Sequence, residues 1–317
     1  MSTPQLLVVV GPTASGKTEL AVQLCARLDG EIISADSVQV YRYFNCGTGK
    51  PTPEERSSAI HHLIDELDPL ESIDAADWAE RAESAINSIR ARGKVPIVCG
   101  GSYLWVRALT LGLTDVPGAS PEIRERHRIW VEAEGRAALH AKLLKSDPIL
   151  AQRLNPNDYV RVSRALEVHE LTGIPMSQWQ AEHGFRKTRH ACQLLGLHRE
   201  RDELDQRISA RTDVMLASGW VDEVKDLVSR GYGEARAMGS VGYRQLRDAL
   251  VAGDCEPELL RDPIIRATRI FVRRQRTWLR DEPVRWIKSE TLEGCLTDLA
   301  AKRNDYVECV TPHPSQS

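Results

Sequence analysis

The sequence has no pair of cysteines at C-x-x-C spacing, no apolar run of membrane-spanning length, no internal repeat and no strong excess of either charge. Its seven cysteines are odd in number and scattered at positions 25, 46, 99, 192, 255, 295 and 309. Neither a disulfide framework nor a zinc site is therefore expected, and a reducing compartment fits. No run approaches the roughly 20 apolar residues of a membrane helix, and no cationic leader precedes the first apolar run, so the expectation is a cytoplasmic protein with no membrane partner. A formal net charge of −3 argues against a chain that coats nucleic acid along its whole length, yet leaves room for a local basic patch.

What is present begins with Leu6-Leu-Val-Val-Val10, a β-branched run that breaks into Gly11, Pro12, Thr13, Ala14, Ser15, Gly16, Lys17 and Thr18 and then into the amphipathic stretch Glu19–Leu28. This is G-x-x-x-x-G-K-[ST] between a strand and a helix. The glycines let successive N–H groups point at an anion, Lys17 adds a point charge, and Thr18 is the candidate ligand for Mg²⁺. The motif predicts that these eight residues hold the phosphates of a small molecule.

Short apolar runs recur at Gln5–Val10, Glu31–Ser34, Lys94–Cys99, Cys192–His198 and Pro283–Lys288, with helical periodicity between most of them. The alternation predicts an α/β fold: a P-loop NTPase-like core with a central parallel sheet and helices on both faces. The interval 116–189 breaks the rhythm, opening in a Pro/Gly-rich stretch and continuing as helices with no strand candidate. One of these helices is bounded by Asn155-Pro-Asn-Asp158 and Gly173, with Val162, Ala165 and Leu166 as its buried face. The expected organisation is a discontinuous core from 1–115 and 190–290, an inserted all-helical domain at 116–189, and a tail over 291–317 that frays in Thr311-Pro-His-Pro-Ser-Gln-Ser317.

Ligands of parallel sheets sit at the carboxyl ends of strands. By that rule Asp36 and the Gly100-Gly101-Ser102 turn face the phosphate site. A carboxylate there handles a proton or a metal, or caps a helix; the Ser102 hydroxyl steadies a departing anion, or caps the helix that starts at Tyr103. The Gln39 amide has the donor and acceptor pattern that pairs with an adenine edge. His61 and His62 are adjacent and share no face, so they receive no role. The run 266–280 places Arg266, Arg269, Arg273, Arg276 and Arg280 on one helical stripe, with Ala267, Phe271 and Trp278 expected to pack on a neighbouring face. Five arginines in line predict a polyanion-binding surface.

Taken together, the Gly11–Thr18 loop, Asp36-Ser-Val-Gln-Val-Tyr41, Gly47-Thr-Gly-Lys-Pro51, His61-His-Leu-Ile-Asp65, Asn155-Pro-Asn-Asp158 with Arg164-Ala-Leu-Glu167, Gly242-Tyr243, Arg274-Gln275 and Thr277-Trp278 resemble the tRNA dimethylallyltransferases, also called tRNA isopentenyltransferases. The resemblance covers nearly the whole chain. It implies that the loop holds dimethylallyl diphosphate, and that the dimethylallyl group passes to N6 of adenine 37, beside the anticodon of tRNAs reading codons that begin with U. It further implies catalytic roles for Asp36 as general base and for Lys17, Ser102 and Arg211. The anticodon stem-loop is the implied partner of Asp36, Ser37, Val38, Gln39, Ser102, Arg124, Val160, Arg161, Val162, Ser163, Arg164, Gly239, Ser240, Val241, Gly242, Tyr243, Arg244, Arg273, Arg274, Gln275, Arg276, Thr277, Trp278, Leu279 and Arg280. Where the family has Gly-Gly-Thr-Gly-Leu-Tyr, this chain has Gly100-Gly-Ser-Tyr-Leu-Trp105, which keeps the hydroxyl. A monomer is expected. The principal rival is a P-loop kinase of a small molecule or nucleotide, which would favour an acidic residue after the third apolar run; here that run ends Cys99-Gly-Gly. A prenyltransferase of free adenylate and an RNA-binding switch module are weaker rivals.

Overall fold

The computed structural model describes residues 5–114, 116–183, 188–253 and 256–307. Within them six parallel strands form one sheet in the order β3-β2-β4-β1-β5-β6: β1 is Leu6–Val10, β2 Gly30–Ser34, β3 His61–His62, β4 Val95–Gly100, β5 Cys192–Leu197 and β6 Arg285–Ile287. β1 lies in the middle, with Leu7 opposite Ile97 of β4 and Val8 opposite Leu194 of β5. All five of its residues are buried, as a strand covered on both faces requires. The helix Lys17–Leu28 turns Leu20, Ala21, Leu24, Cys25 and Leu28 inward, the face that its spacing predicts.

β3 is the strand that periodicity does not reveal. It has two residues, paired with Ile32 and Ile33, too few to alternate visibly. His62 Nε2 lies 2.6 Å from Glu31 Oε2, which Arg92 Nη2 also approaches to 2.6 Å. Burial alone would push the Glu31 carboxyl up, but the hydrogen bonds from His62 and Arg92 outweigh it and hold the group below the usual range. Both histidines are thus placed by the sheet edge.

By contacts the chain divides into two compact units, one drawn from Met1–Thr110 and Arg189–Ser317, the other from Leu111–Thr188. In the second, the helices Pro121–Ser146, Pro148–Arg153, Tyr159–Thr172 and Met176–His183 surround a core that includes Leu139, Leu143, Leu150, Val162 and Leu166. Asp147 caps the second of these helices through Leu150 N–H and also accepts from Ser177 N–H, so one buried carboxylate ties two helix starts together. Glu167, fully buried, holds Ser120 N–H, Arg124 and Arg164.

The stretch read from the sequence as a tail is structured over its described part. Helices Leu292–Ala301 and Asn304–Val307 bring Cys295, Leu296, Leu299 and Tyr306 into the core beside Leu24 and Leu28. Residues at i, i+1 and i+4 make a narrow apolar stripe, which a short helix needs when only one side is covered. Asp115, Cys255, Cys309 and the segment Thr311–Ser317 lie outside the described residues.

Candidate active site

The loop after β1 has the form of an anion cradle. Gly16, at φ 96°, caps the helix Lys17–Leu28, and Ala14 also takes a left-handed conformation at φ 64°. The loop carbonyls are held outward by arginines, Ala14 O by Arg207 Nε at 2.7 Å and Ser15 O by Arg199 Nε at 3.2 Å. The amides in the first turn of the helix are the orphan donors that an anion would satisfy. The Ser15 hydroxyl is buried with no partner among the described residues.

Lys17 Nζ donates to Pro12 O at 2.8 Å. Burial pulls this ammonium down to about 8, with Cys99 and Asp36 opposing the fall and Arg211 adding to it. Burial also pushes the Cys99 thiol up to about 12, so at neutral pH Cys99 supplies no counter-charge. A lysine short of counter-charge beside a ring of amides is matched by a polyanionic ligand.

The Asp36 turn follows β2. Its Oδ1 accepts from Val38 N–H at 2.9 Å and Gln39 N–H at 3.3 Å, which fixes the carboxylate, while Oδ2 accepts from no described residue. The cap therefore uses one oxygen of the carboxylate and leaves the other open. Ser102 N–H bonds Ala35 O, and Ser102 Oγ accepts from Ser37 N–H at 2.9 Å. A hydroxyl that accepts still has its own proton to donate.

Asp36, Ser37, Ser102, Thr13, Ala14 and Arg211 line one cavity of about 440 Å³. Gly239, Ser240, Val241, Arg244, Phe271 and Arg274 reach the same space. Arg211 comes from the helix Arg201–Ala217; burial lowers its pKa and the nearby Asp36 carboxylate opposes that, leaving a desolvated cation across from the acid. The site thus assembles a carboxylate, a hydroxyl, a guanidinium and the edge of the cradle from four separate stretches of chain.

The arginine helix runs over Pro257–Leu279, starting well before the arginine run. Its packed face is Leu260, Ile264, Ile265, Val272, Gln275 and Leu279. Phe271 and Trp278, expected to pack, are about two-fifths exposed, at 39% and 41%. The hydrophobic register is set by the earlier leucine and isoleucines, and it rotates the aromatics outward. Arg269, Arg273, Arg276 and Arg280 line a second space of about 780 Å³, which Arg199 and Arg201 also enter and which touches the cradle at Pro12. Arg269 pairs with Asp205 at 3.3 Å.

Several expected RNA contacts are committed inside the protein. The Gln39 amide accepts from Ser34 Oγ and donates to Thr48 O and Gly49 O, so it braces the 47–50 loop in place of reading a base. Tyr243 is fully buried, its hydroxyl donating to Glu223 Oε1 at 2.6 Å and accepting from Gly47 N–H. Val162, Ser163 and Leu279 are buried too, and the Gln275 amide is bonded to the cradle and the Gly101 turn. In the helical unit Arg124 and Arg164 bind Glu167 and Arg161 lies near Asp158, while Val160 stands exposed. Tyr103 and Trp105, where the chain departs from the family pattern, stay out of the cavity lining: Tyr103 lies against Trp278, and Trp105 stacks on buried Trp78.

Glu223 carries no sequence signal, yet its carboxylate collects Asn45 N–H, Cys46 N–H and the Tyr243 hydroxyl, fixing the loop that delivers Thr48 to the cavity. Among the described residues no trio of His, Cys, Asp or Glu is placed to hold a metal ion.

A family model described as IPP transferase matches residues 39–282. The chain is 62% identical to a tRNA dimethylallyltransferase of Sorangium cellulosum over 283 residues, covering 89% of this chain and 90% of the relative. It is 42% identical to the tRNA dimethylallyltransferase of Geobacter sulfurreducens, over 95% and 97% of the two chains. Among solved structures, a tRNA isopentenylpyrophosphate transferase from Bacillus halodurans aligns with a TM-score of 0.69 at 35% identity over 96% and 98% of the two chains. A eukaryotic dimethylallyltransferase crystallised acting on tRNA aligns with a TM-score of 0.80 at 25% identity, over 96% of this chain and 79% of that one.

Proposed function

The chain belongs to the IPP transferase family, and from that premise we propose that it transfers the dimethylallyl group of dimethylallyl diphosphate to N6 of adenine 37 in tRNAs that read codons beginning with U. The observation that carries this reading is the single cavity wall on which Asp36, Ser102 and Arg211 meet the cradle residues Thr13 and Ala14.

An exocyclic adenine amine is a weak nucleophile, because its lone pair is delocalised into the ring. Asp36 Oδ2 takes the N6 proton as the nitrogen bonds to C1 of the allyl group, and the C1–O electrons leave with diphosphate. Charge then grows on the leaving group, where Lys17, the amides of Gly16, Lys17 and Thr18, and the Ser102 hydroxyl oppose it. Arg211 holds the carboxylate and the departing anion in one field. Thr18 would hold Mg²⁺, which supplies further neutralisation of the diphosphate when bound. The adenine reaches the cavity by extrusion from the anticodon loop, where unpaired bases are splayed out at modest cost.

RNA contact is assigned to the cavity rim, at Ser37, Val38, Gly239 to Gly242 and Arg244, and to the exposed Arg273, Arg274, Arg276, Thr277, Trp278 and Arg280. On the helical unit it is assigned to the exposed Val160 and Arg161, with Arg124 and Arg164 held by Glu167. A monomer in the cytoplasm completes the reading; among the described residues no helix is long and apolar enough to cross a membrane. The kinase alternative finds no support in the matched family or relatives.

The deciding experiment incubates an anticodon stem-loop bearing adenine at positions 36 to 38 with Mg²⁺ and either dimethylallyl diphosphate or ATP. A prenyl mass gain on the central adenosine is the expected result; phosphoryl transfer from ATP with no such gain would replace the proposal with the kinase.

A further inference from the structure

The arginine helix and the diphosphate cradle are joined by one side chain. Gln275, 8% exposed amid Arg273, Arg274 and Arg276, turns inward from that helix. Its Oε1 accepts from Thr13 N–H in the cradle at 2.9 Å, and its Nε2 donates to Gly101 O at 3.3 Å. No other side chain of this helix hydrogen-bonds the cradle among the described residues. A Cβ at position 101 would stand 2.4 Å from Gln275 Nε2, so the glycine there is what admits the amide. Behind the amide, Ile265 and Val272 of the same helix pack with Ala14, the left-handed residue of the loop.

The bridge reaches both halves of the site. Thr13 precedes the amides that face the anion, and Gly101 precedes Ser102, whose hydroxyl fixes Ser37 beside Asp36. Any restraint on the arginine helix is passed through Gln275 to the cradle on one side and to the proton acceptor's turn on the other.

We propose that Gln275 is a positioning residue that couples RNA binding to diphosphate binding: seating a stem-loop on the exposed arginines steadies Gln275, which steadies Thr13 and so tightens the cradle. The inference rests on the proposed RNA role of this helix. Because coupling between two binding equilibria is reciprocal, pyrophosphate raises stem-loop affinity by the same factor.

Calorimetric titration of inorganic pyrophosphate into the full chain, with and without a saturating unmodified anticodon stem-loop, measures the factor. The wild-type chain is expected to gain about tenfold, within the usual span of such couplings. Gln275→Met fills similar space but neither accepts from Thr13 nor donates to Gly101, and its gain is expected to fall below about twofold. Gly101→Ala expels the amide from the other side with Gln275 intact, and is expected to lose the gain in the same way. The factor is a ratio measured within one variant, so a change in folding stability alone does not imitate the result, and either variant decides if the other misfolds. A wild-type gain near one, or a full gain in either folded variant, overturns the proposal. A wild-type chain that binds no stem-loop at all would instead refute the RNA reading on which it rests.

Discussion

Gly49 and Arg211 share one space: a Cβ built on Gly49 would stand 1.8 Å from Arg211 Nη2, and the glycine sits at φ +60°. The loop that Gln39 and Glu223 hold therefore serves as the floor under the guanidinium that faces Asp36. Gly49→Ala is expected to push Arg211 out of register and lower kcat by at least about tenfold, with stem-loop affinity within about twofold. The left-handed backbone adds a stability loss of about 1 kcal/mol. Steady-state kinetics beside thermal denaturation separates the two, and an unchanged kcat would show that Arg211 tolerates displacement.

Asp36→Asn keeps the Oδ1 acceptor that binds Val38 and Gln39 N–H, so the turn is expected to hold its shape. What it loses is the capacity to take a proton. Single-turnover rates should drop by about a hundredfold or more while stem-loop binding persists. Weak binding with normal turnover at saturation would remove Asp36 from the base role.

Lys17 gives the cradle a pH dependence with a definite sign. Its ammonium is lowered from 10.5 to about 8, so charge is present below about 8 and fades above it. Pyrophosphate affinity is expected to fall as pH rises across about 7 to 9, and binding should take up a proton there, because the bound anion favours the ammonium. Stability of the unliganded chain runs the other way: the folded state binds fewer protons than the unfolded one between about 8 and 10.5, so this group's penalty on folding fades over that window. Calorimetry in two buffers of different ionisation enthalpy reads the proton uptake. Lys17→Met, which has no ammonium, should show none from this source.

Arg273 and Arg276 line the larger of the two described spaces on the arginine helix, and neither has an ion-pair partner among the described residues. Replacing both by alanine is expected to weaken stem-loop binding and to make the slope of log affinity on log salt shallower by about 1.5, close to two phosphate contacts. An unaltered slope would take this helix out of the RNA interface.

The parts legible in the sequence were those encoded locally. The β-branched run before Gly11, the inward face of Lys17–Leu28 and the capped helix after Asp158 follow from periods and caps within a dozen residues, and all are present. What stayed hidden depends on partners far along the chain. Gln275 meets Thr13 across 262 positions, and Glu223 meets Cys46 across 177. No spacing announces such bonds. The outward turn of Phe271 and Trp278 was missed for a related reason: the register of a long helix is fixed by its strongest apolar residues, and those lie near Ile264, before the arginines that draw attention. The helix Leu292–Ala301 was missed because three inward residues look like a frayed end until the surface that they cover is known.

The interleaved chain order also sets a schedule for synthesis. β1 emerges from the ribosome first, but its neighbour β5 follows the whole helical insertion, and the arginines and glutamine that shape the phosphate loop come later still. A nascent chain halted before the arginine helix therefore holds the glycine-lysine loop without Gln275 to brace Thr13.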